Sequence, residues 1–557
     1  MKNWIFIALI VLAIAGCVPN KTTTAPIPYL ERRGEAVQLI VDGKPFLVLG
    51  GELHNSSAST AAYMEPIFPL LKDGGLNTVL AVVAWEQIEP EEGVFDFSIV
   101  DDLLDVAWRN DLKLIVLWFG SWKNGITSYV PAWVQKDRLR FPLIKTQSGA
   151  ELNILSTFGR ESLEADAKAY RRLMQHIAQV DEQRTVIMIQ VQNEVGLHGD
   201  TRDYHPAAIE AFEANVPAEL TAFLASNDGK NLLPELQEAW ENNGKKTSGN
   251  WETVFGKGDY TDELFMAWHY AQYLDLIAAA GKEAYPLPTF VNAWIVQPND
   301  KHPGDYPSGG PQAQNLDVWR AAAPHIDLLC PDIYLPDFIS LTELYTRLGN
   351  PLFIPESSSG IPGVANAFYA FGQMKAIGYS PFGIDSRMTD PNTEPIAQAY
   401  KLIGNISPLI LEHQTKGTVR GFWLKEENPQ VRQMTHVLGK YNIKAELLRG
   451  RYQTPEQGSI PMGFGLVMMI AEDEYVVAGQ NIQVTFEPAD EKTTAGLAKV
   501  QQGDFVDGNW TPGRWLNGDE IQLRYDLLEA QKENQSGQGL RFRGNGISIQ
   551  RVWLYDY

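Results

Sequence analysis

Two glutamates close short apolar runs in a way that suggests chemistry. One run is VIMIQVQNEVG, Val186 to Gly196, which ends in Asn193-Glu194; the other is PLFIPESSSG, Pro351 to Gly360, which carries Glu356. A short apolar run bounded by polar residues reads as a strand buried on both faces. Such a strand either runs out into solvent or delivers an acid into a site. Two carboxyl groups facing one another across a cleft can break a glycosidic bond. One gives a proton to the leaving oxygen, while the other attacks or supports the anomeric carbon. A gap of about 5–5.5 Å between them corresponds to retention of configuration, and about 6.5–9.5 Å to inversion.

The elements that must carry these acids follow from residue 46 onward. The apolar runs PFLVLGGELH, LNTVLAVVAW, LKLIVLWFGSW, VIMIQVQNEVG, LPTFVNAWIV, IDLLCPDIYLP, PLFIPESSSG and YSPFGIDS read as eight strands, with helical patterns between most of them. Alternating β and α units predict a parallel sheet. Eight units predict an α/β fold of the (β/α)8 TIM barrel type, with a doubly wound open sheet as the alternative. The chain lacks the Gly-rich loops of dinucleotide and P-loop proteins, which disfavours the open sheet. The barrel is placed at 36–410, with an insertion at about 199–260. From 411 to 557 short strands separated by Gly, Asn and Pro predict a C-terminal β-sandwich domain without a catalytic constellation.

In a barrel the chemistry gathers at the C-terminal strand ends. Those ends offer Glu52 and His54; Trp85, Glu86 and Glu89; Trp122, Lys123 and Asn124; Asn193 and Glu194; Asn292 and Trp294; Asp332 and Tyr334; Glu356; and Asp385 with Arg387. Carboxylates and amides suit sugar hydroxyls, and aromatic rings suit the C–H face of a pyranose. Strands four and seven lie across the mouth from each other, so Glu194 and Glu356 form the expected catalytic pair. Substrate contacts are expected from Asn193, Tyr334, Trp294, Asn292, His54, Glu52, Lys123, Asn124 and Trp122. Tyr334 is placed to orient Glu356 through its hydroxyl, and Trp294 to stack a sugar.

VQNEVG, FIPESSSG and WEQIEPEEGVFDFSIVDDLL resemble the retaining (β/α)8 clan of glycoside hydrolases. GGELHNSS followed by the Trp-Glu-Gln-Ile-Glu-Pro segment is most similar to family 35 β-galactosidases, in the bacterial branch associated with side chains of plant cell-wall polysaccharides such as xyloglucan. Family 42 β-galactosidases share much of the second-strand motif. The likeness spans about 46–400. It implies a retaining exo-β-galactosidase with Glu194 as acid/base, Glu356 as nucleophile and Asn193 as the partner of the sugar 2-hydroxyl. The chain departs from the family pattern in three places. Ile88-Glu89-Pro90 stands for His-Glu-Pro, Ser357-Ser358-Ser359-Gly360 replaces an aromatic-rich segment, and GSWKNG lacks the usual galactose-contacting Glu. Other clan members cleave other β-glycosides with the same acid pair, and a non-catalytic sugar-binding lipoprotein would keep the aromatics without needing both acids.

The 557-residue chain is 44% hydrophobic, with 15 Trp and 21 Tyr, and carries a formal charge of −22. That describes well-cored globular domains. The acidity argues against nucleic acid, whose phosphates call for a basic face. The expected partner is an oligosaccharide or polysaccharide, with no cofactor and no metal. His198, Asp200, Asp203 and His205 match no strict metal-ligand spacing. Glu89 to Glu92 reads as a turn and solvated face.

The N-terminus, MKNWIFIALIVLAIAGC, has the layout of an export signal over 1–16, and its apolar run is too short to span a bilayer comfortably. Small residues directly before Cys17 resemble a bacterial lipoprotein signal, with Cys17 as the lipid attachment point and 17–35 as an anchored linker. Val18 after the cysteine favours the outer membrane, with the enzyme facing the periplasm and touching membrane through the anchor alone. The second of the 2 cysteines, Cys330, has no partner left and reads as a buried, inert thiol.

Overall fold

The computed structural model describes residues 25–226, 232–426, 432–448, 462–490, 492–506, 508–522, 538–543 and 546–557. The export signal and Cys17 lie outside the described residues. Eight parallel strands form one sheet: β1 (Val48–Glu52), β2 (Thr78–Ala84), β3 (Lys113–Lys123), β4 (Val186–Asn193), β5 (Thr289–Trp294), β6 (Leu328–Asp332), β7 (Phe353–Ser357) and β8 (Gly378–Pro381). Their order around the sheet is β6-β5-β4-β3-β2-β1-β8-β7. The two ends of that order meet: the Ile333 N–H donates to Glu356 O (3.0 Å), and Ser357 Oγ donates to Ile333 O (2.7 Å). The sheet is therefore a closed barrel, which excludes the open alternative.

The strands are continuous apolar runs because both of their faces are buried. In β2, Leu80, Val82 and Ala84 join the core inside the barrel, while Val79, Ala81 and Val83 face the surrounding helices. Those helices include α1 (Ser98–Arg109), α2 (Arg160–Val180), α3 (Asp259–Ala284), α4 (Gly360–Gly372) and α5 (Pro395–Lys416). The helical pattern between β1 and β2 is two short helices, Ala61–Met64 and Phe68–Asp73, with Pro66 at the break. The insertion holds four short helices between 206 and 255 and leads into α3.

Two expected boundaries need correction. The linker placed at 17–35 contains a strand, Tyr29–Arg33, paired antiparallel with Ala36–Val41. This hairpin brings Leu39 and Val41 into the inner barrel core with Val48, Phe290 and Phe353, so it closes the barrel floor. The sandwich does not begin at 411, because α5 continues to Lys416 and stops at Gly417, which has φ 68°. Pro408 lies inside α5 and reads in sequence as a helix breaker. Ser407 Oγ donates to Gly404 O (2.9 Å), the carbonyl that Pro408 has no N–H to serve.

From Val419 a six-stranded and a four-stranded antiparallel sheet pack face to face around Phe422, Leu424, Tyr441, Ile443, Val477, Val484 and Val552. The outer face of the larger sheet covers α4, the helix directly after β7. Trp423 Nε1 donates to Asn366 Oδ1 (2.9 Å), and the Phe368 and Phe464 rings meet at 5.1 Å. The approach is close: a Cβ on Gly372 would lie 2.9 Å from Gly421 Cα. Among the described residues no helix is long and apolar enough to cross a membrane.

Candidate active site

The barrel mouth gathers Glu52 from β1, Lys123 from β3, Asn193 and Glu194 from β4, Asn292 from β5, Asp332 and Tyr334 from the end of β6, and Glu356 from β7. Carboxylate oxygens of Glu194, Asp332 and Glu356 lie within 4.8 Å of one another, and all three residues are buried. Glu356 is held on both oxygens. Tyr334 donates its hydroxyl to Oε2 (2.8 Å), and Asn193 Nδ2 donates to Oε1 (3.3 Å). Asn292 bridges the other two acids: its Oδ1 accepts the Glu194 N–H (2.9 Å), and its Nδ2 donates to Asp332 Oδ2 (2.7 Å).

Adjacent residues of a strand point to opposite faces, yet Asn193 and Glu194 both reach the mouth. Left-handed backbone makes this possible. Gln192 has φ 63° and Glu194 φ 45°. Val191 packs outside the barrel, and Gln192 also turns outward, where its side chain reaches Asp166 and the Trp122 N–H. The alternation is thereby shifted by one, and Asn193 turns inward. Non-glycine residues in this region cost on the order of 1–3 kcal/mol each, so the surrounding contacts must hold them there.

The charge of the site is out of balance. Glu52, Glu194, Asp332 and Glu356 share one desolvated space with the Lys123 ammonium. Burial, followed by the Glu356 charge, pushes Glu194 up to about 7, with Lys123 pulling the other way. Burial and the same neighbour raise Glu52 and Asp332 well above the ordinary carboxylate range. Among the described residues neither Glu52 oxygen has a hydrogen-bond partner, and Asp332 Oδ1 has none either. Burial, then the Glu356 and Asp332 charges, also raise the Tyr334 phenol, which keeps it a proton donor.

Lys123 donates to Asn193 Oδ1 (2.8 Å) and sits over the Phe119 ring. Asn124 and Gly125 have φ 52° and 63° and form the tight turn between Lys123 and Ile126. The Asn124 N–H donates to Asn193 O (3.1 Å), while its Oδ1 is buried without a partner among the described residues. His54 stands half-exposed at the rim, fixed by Asp385 at 2.8 Å from its Nδ1. Trp294 is also half-buried there, edge-on to His198 at 5.6 Å.

Trp122 does not belong to this group. It is 1% exposed and points outward, donating to Leu155 O (3.1 Å) and meeting Tyr270 and Tyr273 of α3. Trp122 stands on the outward side with Trp118, and Lys123 on the inward side with Phe119, over whose ring it sits, where a period of two places them. Glu89 is likewise a buried structural residue and not a solvated turn. It accepts from Trp85 Nε1 and the Gly93 N–H, both at 2.8 Å. Cys330 is buried inside the barrel, and burial raises its thiol well above the ordinary value. Asp203 ties Ser156 Oγ to the backbone of Lys145 and His205, and His205 caps the helix that follows it.

Behind the mouth lies a network that no motif in the sequence marks. Asp166 lies on α2, outside the barrel, and accepts four hydrogen bonds. Its only sequence signal is its place at helical spacing on a face otherwise made of Ser162, Ala169, Tyr170 and Leu173, all buried.

A glycoside hydrolase 42 family model described as "Beta-galactosidase" matches residues 57–255, and a domain of unknown function, DUF5597, matches 396–527. The latter match begins in α5 and continues into the sandwich. The chain is 29% identical over 210 residues to a β-galactosidase of Xanthomonas manihotis, covering 36% of this chain and 32% of that protein. It is 27% identical over 199 residues to β-galactosidase-1-like protein 3 of Homo sapiens, covering 35% of this chain and 28% of that one. The chain thus spans less than a third of the length of either relative. Among solved structures, the β-galactosidase from Bacillus circulans sp. alkalophilus aligns with a TM-score of 0.45 at 15% identity, over 66% of this chain and 57% of that one.

Proposed function

We propose that this chain is a retaining exo-β-galactosidase that removes terminal β-galactosyl residues. The observation that carries the reading is the pair Glu194 and Glu356, whose carboxylate oxygens lie within 4.8 Å of each other across the mouth. Oxygens this close suit two carboxyls acting on one glycosidic bond, and retention follows from the resemblance of VQNEVG and FIPESSSG to the retaining clan. Glu356 attacks the anomeric carbon as the C1–O bond to the leaving group breaks, and Glu194 gives its proton to the departing oxygen. Water then attacks C1 of the galactosyl-enzyme, Glu194 takes the water proton, and Glu356 leaves. A Glu194 carboxyl held at about 7 can be protonated in the first step. Forming the ester removes the Glu356 charge, so Glu194 becomes a stronger acid and a readier anion for the second step.

Galactose as the sugar rests on the family model over 57–255 and on the relatives' names. The GGELHNSS segment favours family 35, while the matching family model is that of family 42. Asn193, Lys123, Asn124 and His54 offer polar groups to the hydroxyls, and Trp294 offers a ring face. Plant cell-wall oligosaccharides such as xyloglucan side chains are the proposed source of galactose. Attachment through Cys17 would hold the enzyme at the bacterial outer membrane, facing the periplasm. Substitution of Cys17 by Ser should then move the activity from the membrane to the soluble fraction.

The deciding experiment is hydrolysis of a panel of nitrophenyl glycosides, with the first-formed anomer followed by NMR. β-Galactoside cleavage giving β-galactose first is the expected result. An α-anomer, or preference for another sugar, overturns the reading. Glu356→Ala should abolish turnover. A non-catalytic sugar-binding protein would show no turnover with any glycoside.

A further inference from the structure

We propose that Asp166, which lies outside the pocket, is a positioning residue that aims the acid/base carboxyl by holding Gln192 in its outward, left-handed conformation. The inference rests on the reading of Glu194 as the proton donor. Asp166 Oδ1 accepts from Trp118 Nε1 (2.8 Å), and Oδ2 accepts from the Ser121 N–H (2.9 Å), Ser121 Oγ (2.6 Å) and Gln192 Nε2 (2.8 Å). Gln192 in turn accepts the Trp122 N–H on its Oε1 (3.0 Å). One buried carboxylate therefore ties the end of β3 to the end of β4.

The arrangement is specific to the task. Were Gln192 free to relax into ordinary strand geometry, alternation would send Asn193 outward. Asn193 would lose Lys123 and Glu356, and Glu194 would leave the mouth or lose its N–H bond to Asn292. Gln190 Nε2 closes the loop of contacts by donating to Gln192 O (3.0 Å). Ser121 Oγ lies 3.0 Å from the Tyr273 hydroxyl of α3, so the clamp is braced by both helices behind the strands. None of these groups touches the space between the two catalytic carboxyls. Their effect on catalysis is exerted through where Asn193 and Glu194 point, with Lys123 at the end of β3 holding Asn193 from the other side.

The test separates proton delivery from general integrity. Asp166→Asn keeps the size but loses acceptors, and Gln192→Leu removes both the donor to Asp166 and the acceptor of the Trp122 N–H. Each is measured against methyl β-galactoside, whose leaving oxygen needs a proton, and 2,4-dinitrophenyl β-galactoside, whose leaving group does not. Misaiming the acid should lower kcat on the methyl glycoside by about 100-fold, and lower formation of the galactosyl-enzyme from the dinitrophenyl glycoside by only a few fold. A cooperative thermal transition confirms that the variant is folded. Equal losses on both substrates, or no loss, overturn the inference, since a merely structural residue would not distinguish leaving groups. Glu194→Ala is run alongside. If it shows the leaving-group dependence and neither other variant does, positioning is wrong and the acid assignment stands. If Glu194→Ala lacks that dependence, the acid assignment fails and the positioning role with it. Should Asp166→Asn be insoluble, Gln192→Leu decides alone.

Discussion

Tyr334 donates its hydroxyl to Glu356 Oε2 across 2.8 Å while leaving 49% of its own surface exposed at the mouth. A residue this exposed adds little to the core, so its bond to Glu356 can be removed with limited damage to the fold. Hydrogen bonds to charged groups contribute about 1.5–3 kcal/mol, and in the proposed mechanism this bond aims the attacking carboxylate. Tyr334→Phe should therefore lower kcat/KM by roughly 10–100-fold with the melting temperature nearly unchanged. Steady-state kinetics beside a thermal melt checks it. An unchanged kcat/KM would assign Tyr334 to packing or to substrate contact alone.

In the proposed mechanism Glu194 is protonated for the first chemical step, and its pKa is pushed up to about 7. Activity on a substrate with a poor leaving group should consequently fall as pH rises through about 7, tenfold per unit well above it. In Glu194→Ala the residual activity should lose this alkaline limb. A limb that survives the substitution would belong to another group, with Asp332 the first to examine.

The barrel and the acid pair were legible in the sequence for a physical reason. Parallel strands buried on both faces are unbroken apolar runs, and only their last residues are free to be polar. Glu194 and Glu356 stood out because a carboxyl there has no structural cause. What period-two alternation could not foresee was its own failure at Gln192. Trp122, expected at the mouth, lies in the helix layer on the side that alternation from Trp118 gives it, so its place was legible in the strand itself. Asp166 was illegible because its partners are 26 to 48 residues away in the chain. Pro408 hid the end of α5, and the polar residues of YLERRGEAVQ hid the hairpin that closes the barrel floor.

Ionised Glu194 is a cost to stability. Its folded pKa of about 7 lies above the unfolded value, so the folded state holds the proton more tightly. Stability should then fall as pH rises from about 4.5 to 7 and level off above. Glu194→Gln removes the titration. The variant should gain on the order of 3 kcal/mol over the native chain at pH 8 and little at pH 4. Denaturant unfolding at the two pH values measures this. A gain that is equal at both would trace to something other than charge burial.

The sandwich covers α4, which follows the strand bearing Glu356, so the two domains should unfold together. Asn366→Leu leaves the Trp423 indole N–H buried without a partner, at a cost of about 1–3 kcal/mol. A single calorimetric transition at a lowered temperature is expected. Two separate transitions in the native chain would show that the interface does not couple the domains.

The two tryptophans expected at the site should separate cleanly on substitution, because they lie on opposite sides of the barrel wall. Trp122 is fully enclosed between Leu155 and the α3 tyrosines. Its replacement by Ala should cost about 3–5 kcal/mol of stability, as large core truncations do. Trp294 is half-buried at the rim, beside His198. Its replacement by Ala should leave the melt close to native and raise KM roughly tenfold, the loss of about 1.4 kcal/mol of ring contact. If Trp122→Ala instead raised KM with stability intact, β3 would have to end with the opposite face toward the mouth. That would also remove Lys123 from Asn193, so the pair of substitutions tests the whole arrangement of strands three and four.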